Sequence, residues 1–146
     1  MHTTAARAYL NTDVTTAVGS QLILRLYDKA ISCLSLGEEA IESGEMEVKS
    51  RHLTRVLDII HELTVSINLD YEPIATNLFS LYGYMSQRVL DGCLRNNRAA
   101  LHEVSTMFKD LRSSWEVAVR KNPGPEDVKA RPMGAAVQES QEAGAA

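Results

Sequence analysis

Several features that mark other classes of protein are scarce or absent in this sequence of 146 residues. No run of 18 apolar residues occurs, so no segment is long enough to cross a bilayer as a helix. There are two cysteines, Cys33 and Cys93, and both fall on predicted apolar helix faces. We interpret them as buried thiols rather than as a disulfide or a redox pair. The length is sufficient for one domain and not for two.

Neither sign of charge dominates any part of the sequence. The formal net charge is -4, acidic and basic residues are interspersed, and there is no basic stripe that could follow a phosphate backbone. The first residues, Met1-His2-Thr3-Thr4, lack the basic and then apolar order of a secretory signal. We therefore expect a cytosolic protein that binds no nucleic acid and does not insert into a membrane.

The sequence also lacks the motifs of the catalytic and metal sites that helical proteins carry. A di-metal carboxylate bundle needs two Glu-x-x-His pairs, and none occurs here; the nearest pair is Asp58 with His61. The four histidines show no zinc spacing, and neither a phosphate-binding glycine loop nor a nucleophile motif is present. We therefore expect no enzyme activity, no cofactor and no metal site.

Helical periodicity runs from about residue 19 to residue 121 and is broken three times. Ser43-Gly44 provides a left-handed cap, Pro73 suits a first helical turn, and Asn96-Asn97 can end one helix and cap the next. These breaks predict four helices with short connections, which makes neighbouring helices antiparallel. The predicted helices lie near residues 19–43, 45–70, 73–96 and 98–121.

The predicted fold is all-α, an antiparallel four-helix bundle over residues 19–121. Residues 1–18 show no clean period and are interpreted as a mobile N-terminal segment. Residues 122–146 contain three of the four prolines and few large apolar groups. Such a segment cannot offset the entropy cost of ordering, so we expect a disordered tail.

Two of the predicted helices carry one apolar face each, as ordinary bundle helices do. The face of the second helix consists of Leu53, Val56, Leu57, Ile60, Leu63 and Ile67. The face of the fourth helix consists of Leu101, Val104, Phe108, Leu111, Trp115 and Ala118.

The first and third helices carry more apolar residues than one buried face requires. The predicted core face of the first helix is Leu22, Leu26, Ala30, Cys33, Gly37 and Ile41. That of the third helix is Ile74, Leu78, Leu81, Met85 and Val89. Beyond these faces the first helix has a second stripe of Leu24, Tyr27 and Ile31. The third helix has Phe79 and Leu90 on one line with the small residues Gly83 and Ser86, which predicts a shallow groove.

These surplus apolar residues need a cover, and two kinds of cover are open. An exposed apolar patch usually marks a partner site. The N-terminal segment, a fifth helix or a second copy of the chain would also cover them. The N-terminal segment offers Tyr9, Leu10 and Val14, so a lid that occupies the groove until a partner arrives satisfies both interpretations.

A run in the first helix, Leu22-Ile23-Leu24-Arg25-Leu26-Tyr27-Asp28-Lys29-Ala30-Ile31, resembles the signature of the FliS family of flagellin-specific export chaperones. Ala8-Tyr9 and Thr16-Ala17 are similar to the family's N-terminal residues. The run from Ile74 to Met85, with Leu81-Tyr82, resembles the family's third helix, and Leu111-Arg112-x-x-Trp115 its fourth. The resemblance covers about residues 6–120 in order, with motifs on three of the four helices.

The sequence departs from the family pattern at a few positions. Val18-Gly19 stands where the family usually has Ser-Pro or Asn-Pro, Lys29 replaces a usual glycine and Arg25 a usual methionine. The loop before the third helix is short and lacks the family's glycines. These departures concern the details of partner binding rather than the fold.

The resemblance implies a cytosolic four-helix chaperone that binds the C-terminal, polymerisation-prone region of flagellin. Such chaperones block premature filament assembly and deliver the subunit to the flagellar type III export gate, which is a further expected partner. One flagellin per chaperone is expected, bound as helices in apolar grooves. On this basis we assign partner binding to Leu24, Tyr27, Ile31, Phe79, Tyr82 and Leu90, and the lid to Tyr9, Leu10 and Val14.

Two other classes of function remain open. One is a self-assembling bundle, in which the stripes are buried in a homodimer of the free protein. The other is a phosphotransfer domain with His52 as acceptor, although Val56 is bulky where such domains usually keep a small residue.

Overall fold

The computed structural model describes residues 19–68 and 73–121, which form four α-helices with no sheet between them. The helices are α1 (Ser20–Ser43), α2 (Met46–Val65), α3 (Ile74–Arg95) and α4 (Arg98–Lys121). Each helix packs against the next, and α4 closes the ring on α1. The all-α four-helix prediction is therefore confirmed, with helix starts that agree to within one residue. The predicted end of the second helix at residue 70 is wrong, because α2 ends at Val65 and the backbone leaves the helix at Ser66. The predicted N-terminal lid segment and C-terminal tail lie outside the described residues.

The first and third predicted breaks form as expected. Gly44 has φ 77°, the left-handed conformation that costs a glycine little, and Glu45 N–H donates to Ala40 O at 2.8 Å. Asn96 has φ 53° and ends α3. Asn97 accepts a hydrogen bond from Ala100 N–H through Oδ1 at 3.2 Å, which caps the start of α4.

A buried lysine fixes the end of α3 from the neighbouring helix. Lys49 of α2 is only 8% exposed, and its Nζ donates to Cys93 O and to Asn96 Oδ1, both at 2.8 Å. The carbonyls at the end of a helix lack partners within that helix and carry partial negative charge, so an ammonium group there is stabilising. Lys49 thus joins α2 to the turn between α3 and α4.

The core consists of one apolar cluster between the four helices. The predicted faces of α2 and α4 are buried, with Leu57 and Leu111 half-buried at their edges. The predicted face of α3 is confirmed in the same way. In α1 the prediction for Leu22 is wrong, because its side chain is 40% exposed, while Ile23 and Leu34 are buried instead.

The buried arc of α1 is unusually wide. At 100° per residue its buried side chains cover about 200° of the helix circumference, whereas those of α3 cover about 100°. Small residues in α1 allow its neighbours to approach closely. A Cβ atom at Gly37 would lie 2.6 Å from Leu53 Cδ2 of α2, so any side chain there would force the buried Leu53 to move. Close packing on both sides buries residues that a helical wheel would place outside.

A polar group of side chains joins α3 to α4 on the bundle surface. Glu103 of α4 accepts hydrogen bonds from Tyr84 Oη at 2.6 Å and from Arg88 Nε at 2.8 Å. The Tyr84 hydrogen bond and then the Arg88 hydrogen bond hold the pKa of the Glu103 carboxyl below its ordinary value. The same contacts raise the pKa of Tyr84 and of Arg88.

Lys49→Met should lower the free energy of unfolding by about 1–3 kcal/mol, because the apolar chain remains while Cys93 O and Asn96 lose their donor. Urea unfolding followed by circular dichroism measures this difference. Lys29→Met, on the exposed side of α1, is the matched control and should change stability by less than about 0.5 kcal/mol. Equal stability of the two variants would contradict the capping role of Lys49.

Tyr84→Phe should raise the pKa of Glu103 towards the ordinary glutamate value, because the largest cause of its depression is removed. The carboxyl ¹³C shift of Glu103, followed by NMR against pH, measures the change. A depressed folded pKa contributes stability that is present above the unfolded pKa and is lost as pH falls through the folded pKa. The variant should therefore lose less stability on acidification; an unchanged Glu103 titration would contradict the assignment.

Candidate partner-binding surface

The outer side of α3 carries a row of side chains that no described residue covers. Phe79 is 56% exposed and Leu90 is 44% exposed, with exposed Gly83 and half-buried Ser86 between them. Their spacing places all of them on one line of the helix. The sequence prediction for the position of these residues is therefore confirmed.

Leu94 extends this line by one further turn and was not among the predicted site residues. It is 79% exposed, the most exposed of the large apolar side chains in the described residues. Its spacing of four from Leu90 was the signal that could have identified it. We define the α3 row as Phe79, Gly83, Ser86, Leu90 and Leu94. At 1.5 Å per residue the row is about 22 Å long, the length of roughly four helical turns.

The middle of the α3 row is low because its residues are small. A Cβ atom placed on Gly83 would meet no heavy atom within 4 Å, so the space above this position is open. Phe79 stands on one side of the gap and Leu90 on the other. This shape, large residues at the ends and small ones between them, suits a side chain of a partner that enters the gap.

The predicted α1 residues do not share the α3 row. Ile31 is half-buried and lines a separate groove between α1 and α4. In the ring of helices α1 and α3 are diagonal to each other, since α2 and α4 lie between them. The two surplus stripes found in the sequence therefore belong to different faces of the bundle.

The expected surface position of Leu24, Tyr27 and Tyr82 is wrong. Leu24 is buried, and both tyrosines are 0% exposed. The reason for Leu24 and Tyr27 is the wide buried arc of α1, and Tyr82 lies within the buried arc of α3. None of the three forms a surface wall in this structure.

Tyr27 is the centre of an aromatic group that joins three helices. Its hydroxyl is 2.9 Å from the hydroxyl of Tyr82 on α3. Its ring lies 5.7 Å from that of Phe108 and 6.4 Å, edge-on, from that of Trp115, both on α4. Burial, and then the neighbouring Tyr82 phenol, raise the pKa of Tyr27 well above its ordinary value, so the hydroxyl stays neutral.

Other residues of the resembling motifs also contact one another. Trp115 donates from Nε1 to Ser20 O at 3.1 Å, at the start of α1. Arg112 donates from Nε and Nη2 to the two carboxylate oxygens of Asp28, and this pair raises the pKa of Arg112. The motifs on α1, α3 and α4 thus hold the helices against each other rather than forming a surface.

The remaining predictions concern the lid, metal binding and membrane insertion. The lid residues Tyr9, Leu10 and Val14 are outside the described residues, so the lid stays a prediction. Within residues 19–68 and 73–121 no group of three or more His, Cys, Asp or Glu side chains could hold a metal ion. In the same residues no helix is long and apolar enough to span a membrane.

Comparisons with known proteins agree on one family. The sequence model of the family described as "Flagellar protein FliS" matches residues 1–122. The chain is 35% identical over 117 residues to the flagellar secretion chaperone FliS of Salmonella typhimurium, covering 75% of this chain and 86% of that protein.

Two other relatives carry the same name. The chain is 31% identical over 113 residues to flagellar secretion chaperone FliS of Bacillus subtilis, covering 77% of this chain and 84% of that protein. It is 30% identical over 117 residues to that of Escherichia coli, covering 75% and 85%. These matches, together with the four-helix fold, show that the chain belongs to the FliS family of flagellar proteins.

Proposed function

We propose that this protein is a cytosolic export chaperone that binds the C-terminal helical region of flagellin. Binding blocks premature polymerisation of the subunit and aids its delivery to the flagellar type III export apparatus, whose gate is a second contact. The protein performs no catalysis and needs no cofactor. The observation that carries the proposal is the exposed α3 row, which has the length and shape to receive one helix of the client.

Membership of a family whose curated members are named flagellar secretion chaperones supports this choice of client. A chaperone for an exported subunit must cover apolar segments that would otherwise meet other subunits. The α3 row offers apolar groups of its own for this purpose, and a bound amphipathic helix presents apolar groups at the same spacing of three and four residues.

The energetics of the α3 row favour a partner of this kind. Fully burying a large apolar side chain contributes about 1.5–3 kcal/mol, and Phe79, Leu90 and Leu94 are each partly exposed in the free protein. A client segment that folds on binding uses part of this free energy for its own ordering. The expected signature is a large negative enthalpy with a gain of helix.

The other assigned residues have different parts in this proposal. Ile31 lies on the separate α1–α4 face and would be reached only by a client that wraps round the bundle. Leu24, Tyr27 and Tyr82 act through the core that holds α3 in place. The lid of Tyr9, Leu10 and Val14 covers part of the apolar surface before flagellin binds.

Phe79→Asp should weaken binding of a flagellin C-terminal peptide by at least about tenfold, because it places a charge at the end of the α3 row. Isothermal titration, expected to show one peptide per chain, measures the affinity. The helical circular dichroism should be unchanged, since Phe79 is 56% exposed. Val117→Asp, at an exposed apolar position on α4, is the matched control and should bind normally.

A flat titration of the well-folded protein would overturn the choice of flagellin as the client. Sedimentation of the free protein then decides between a homodimer and another client. If it sediments as a dimer that Phe79→Asp dissociates, the α3 row is a self-association surface.

Deleting residues 1–17 should leave the affinity for the flagellin peptide unchanged or raise it, by up to about tenfold, because a displaceable cover competes with the client. The full-length variant with Tyr9, Leu10 and Val14 all changed to alanine should behave in the same way. A large loss of affinity in both proteins would instead mean that these residues contact the client.

A further inference from the structure

A groove between α1 and α4 is separate from the α3 row and has a different chemical character. It is an open groove with a volume of about 970 Å³, and it is lined mainly by polar side chains. Ile31 and Leu36 supply apolar surface, and Ser32, Ser35 and Ser105 supply small side chains. Small residues along a groove allow the backbone of an incoming segment to approach closely.

The two walls of this groove carry opposite charges. The α1 wall holds Glu38, Glu39 and Glu42, and the α4 wall holds Arg98 and Lys109 with His102 between them. Arg98, His102 and Lys109 recur at intervals of four and seven residues, and Glu42 lies three and four residues from Glu39 and Glu38, so each set lies along one side of its helix. We call them the acidic wall and the basic wall.

Ion pairs between the helices mark the two ends of the groove. At one end Arg98 Nη1 lies 2.6 Å from Glu42 Oε2, which closes the gap. At the other end Asp28 and Arg112 pair one turn beyond Ile31. Among the described residues no ion pair crosses the groove between these two, so Glu38, Glu39 and Lys109 keep their charges for a ligand.

We infer that this groove is a second docking surface, which takes a helix of a partner protein with basic residues along one edge and acidic residues along the other. The side chains on the surface of a helix form a ridge, and such a ridge fits the groove between two antiparallel helices. A uniformly charged ligand, such as a nucleic acid or an anionic membrane surface, would meet repulsion from one wall.

The groove also sets the size of the partner segment. From Ile31 to Glu42 the axis rises by about 16 Å, which corresponds to roughly three helical turns. A short row of small or apolar residues on the partner helix would face Ile31, Leu36 and the serines. The charged edges would then meet the rims, where opposite charges set orientation and specificity more than affinity.

The probe that tests this inference is a stapled helical peptide of about 15 residues, because an unstapled helix of this length is marginal in water. It carries an alanine and leucine row, lysines along one edge and glutamates along the other. The control peptide has the same composition, with lysine and glutamate alternating along both edges. A peptide with the two edges exchanged would not serve as a control. It could bind in the opposite direction along the groove and present the same charges to the same walls.

The split-edge peptide should bind the full chain at least about tenfold more tightly than the alternating peptide, measured by fluorescence anisotropy at low salt. Glu38→Lys combined with Glu39→Lys makes both walls basic and should remove this preference. Adding His102→Glu and Lys109→Glu makes the two walls opposite in charge again. This fourfold variant should regain the preference for the split-edge peptide, which then binds in the reversed direction. A merely destabilising effect would not be restored by two further substitutions.

The matched control reverses two charges elsewhere, with Arg51→Glu and Arg55→Glu on the exposed side of α2, and should leave peptide binding unchanged. Equal binding of the two peptides, a loss that the second reversal does not restore, or an equal loss in the α2 control would each overturn the inference. Flagellin peptide binding should survive in every variant; its loss in the acidic-wall variant alone would make the groove part of the flagellin site.

Discussion

The buried contact between Tyr27 and Tyr82 is the interaction on which the arrangement of the helices depends. It crosses the core diagonally from α1 to α3, two helices that do not adjoin in the ring. Each hydroxyl needs a partner at this depth, since an unpaired buried polar group costs about 1–3 kcal/mol. The pair therefore fixes the rotation of α1 and α3 about their axes, and Phe108 and Trp115 hold the Tyr27 ring from α4.

This constraint explains the positions of the residues that resemble the family's motifs. The motif residues Tyr27, Tyr82 and Trp115 are interior, and Asp28 and Arg112 pair across the surface of the same junction. A sequence that keeps these residues keeps the junction of three helices. The resemblance is thus mainly information about the fold, while the α3 row and the α1–α4 groove lie on the surface, outside this junction.

Much of the fold could be predicted from the sequence because turn chemistry and single apolar faces are local signals. Gly44 and Asn97 act as their residue types require, and α2 and α4 bury the expected faces. The position of Leu22 and the Lys49 contact with α3 could not be predicted in this way. Both depend on how closely neighbouring helices approach each other, and a helical wheel carries no information about that distance.

The same argument decides which surplus residues reach the surface. Both α1 and α3 have apolar residues beyond one face, but α1 packs more closely on its neighbours and buries about twice as wide an arc. Leu24 and Tyr27 are therefore enclosed, whereas Phe79, Leu90 and Leu94 remain outside. An exposed apolar surface arises in this bundle where helix packing stops short of the apolar pattern of the sequence.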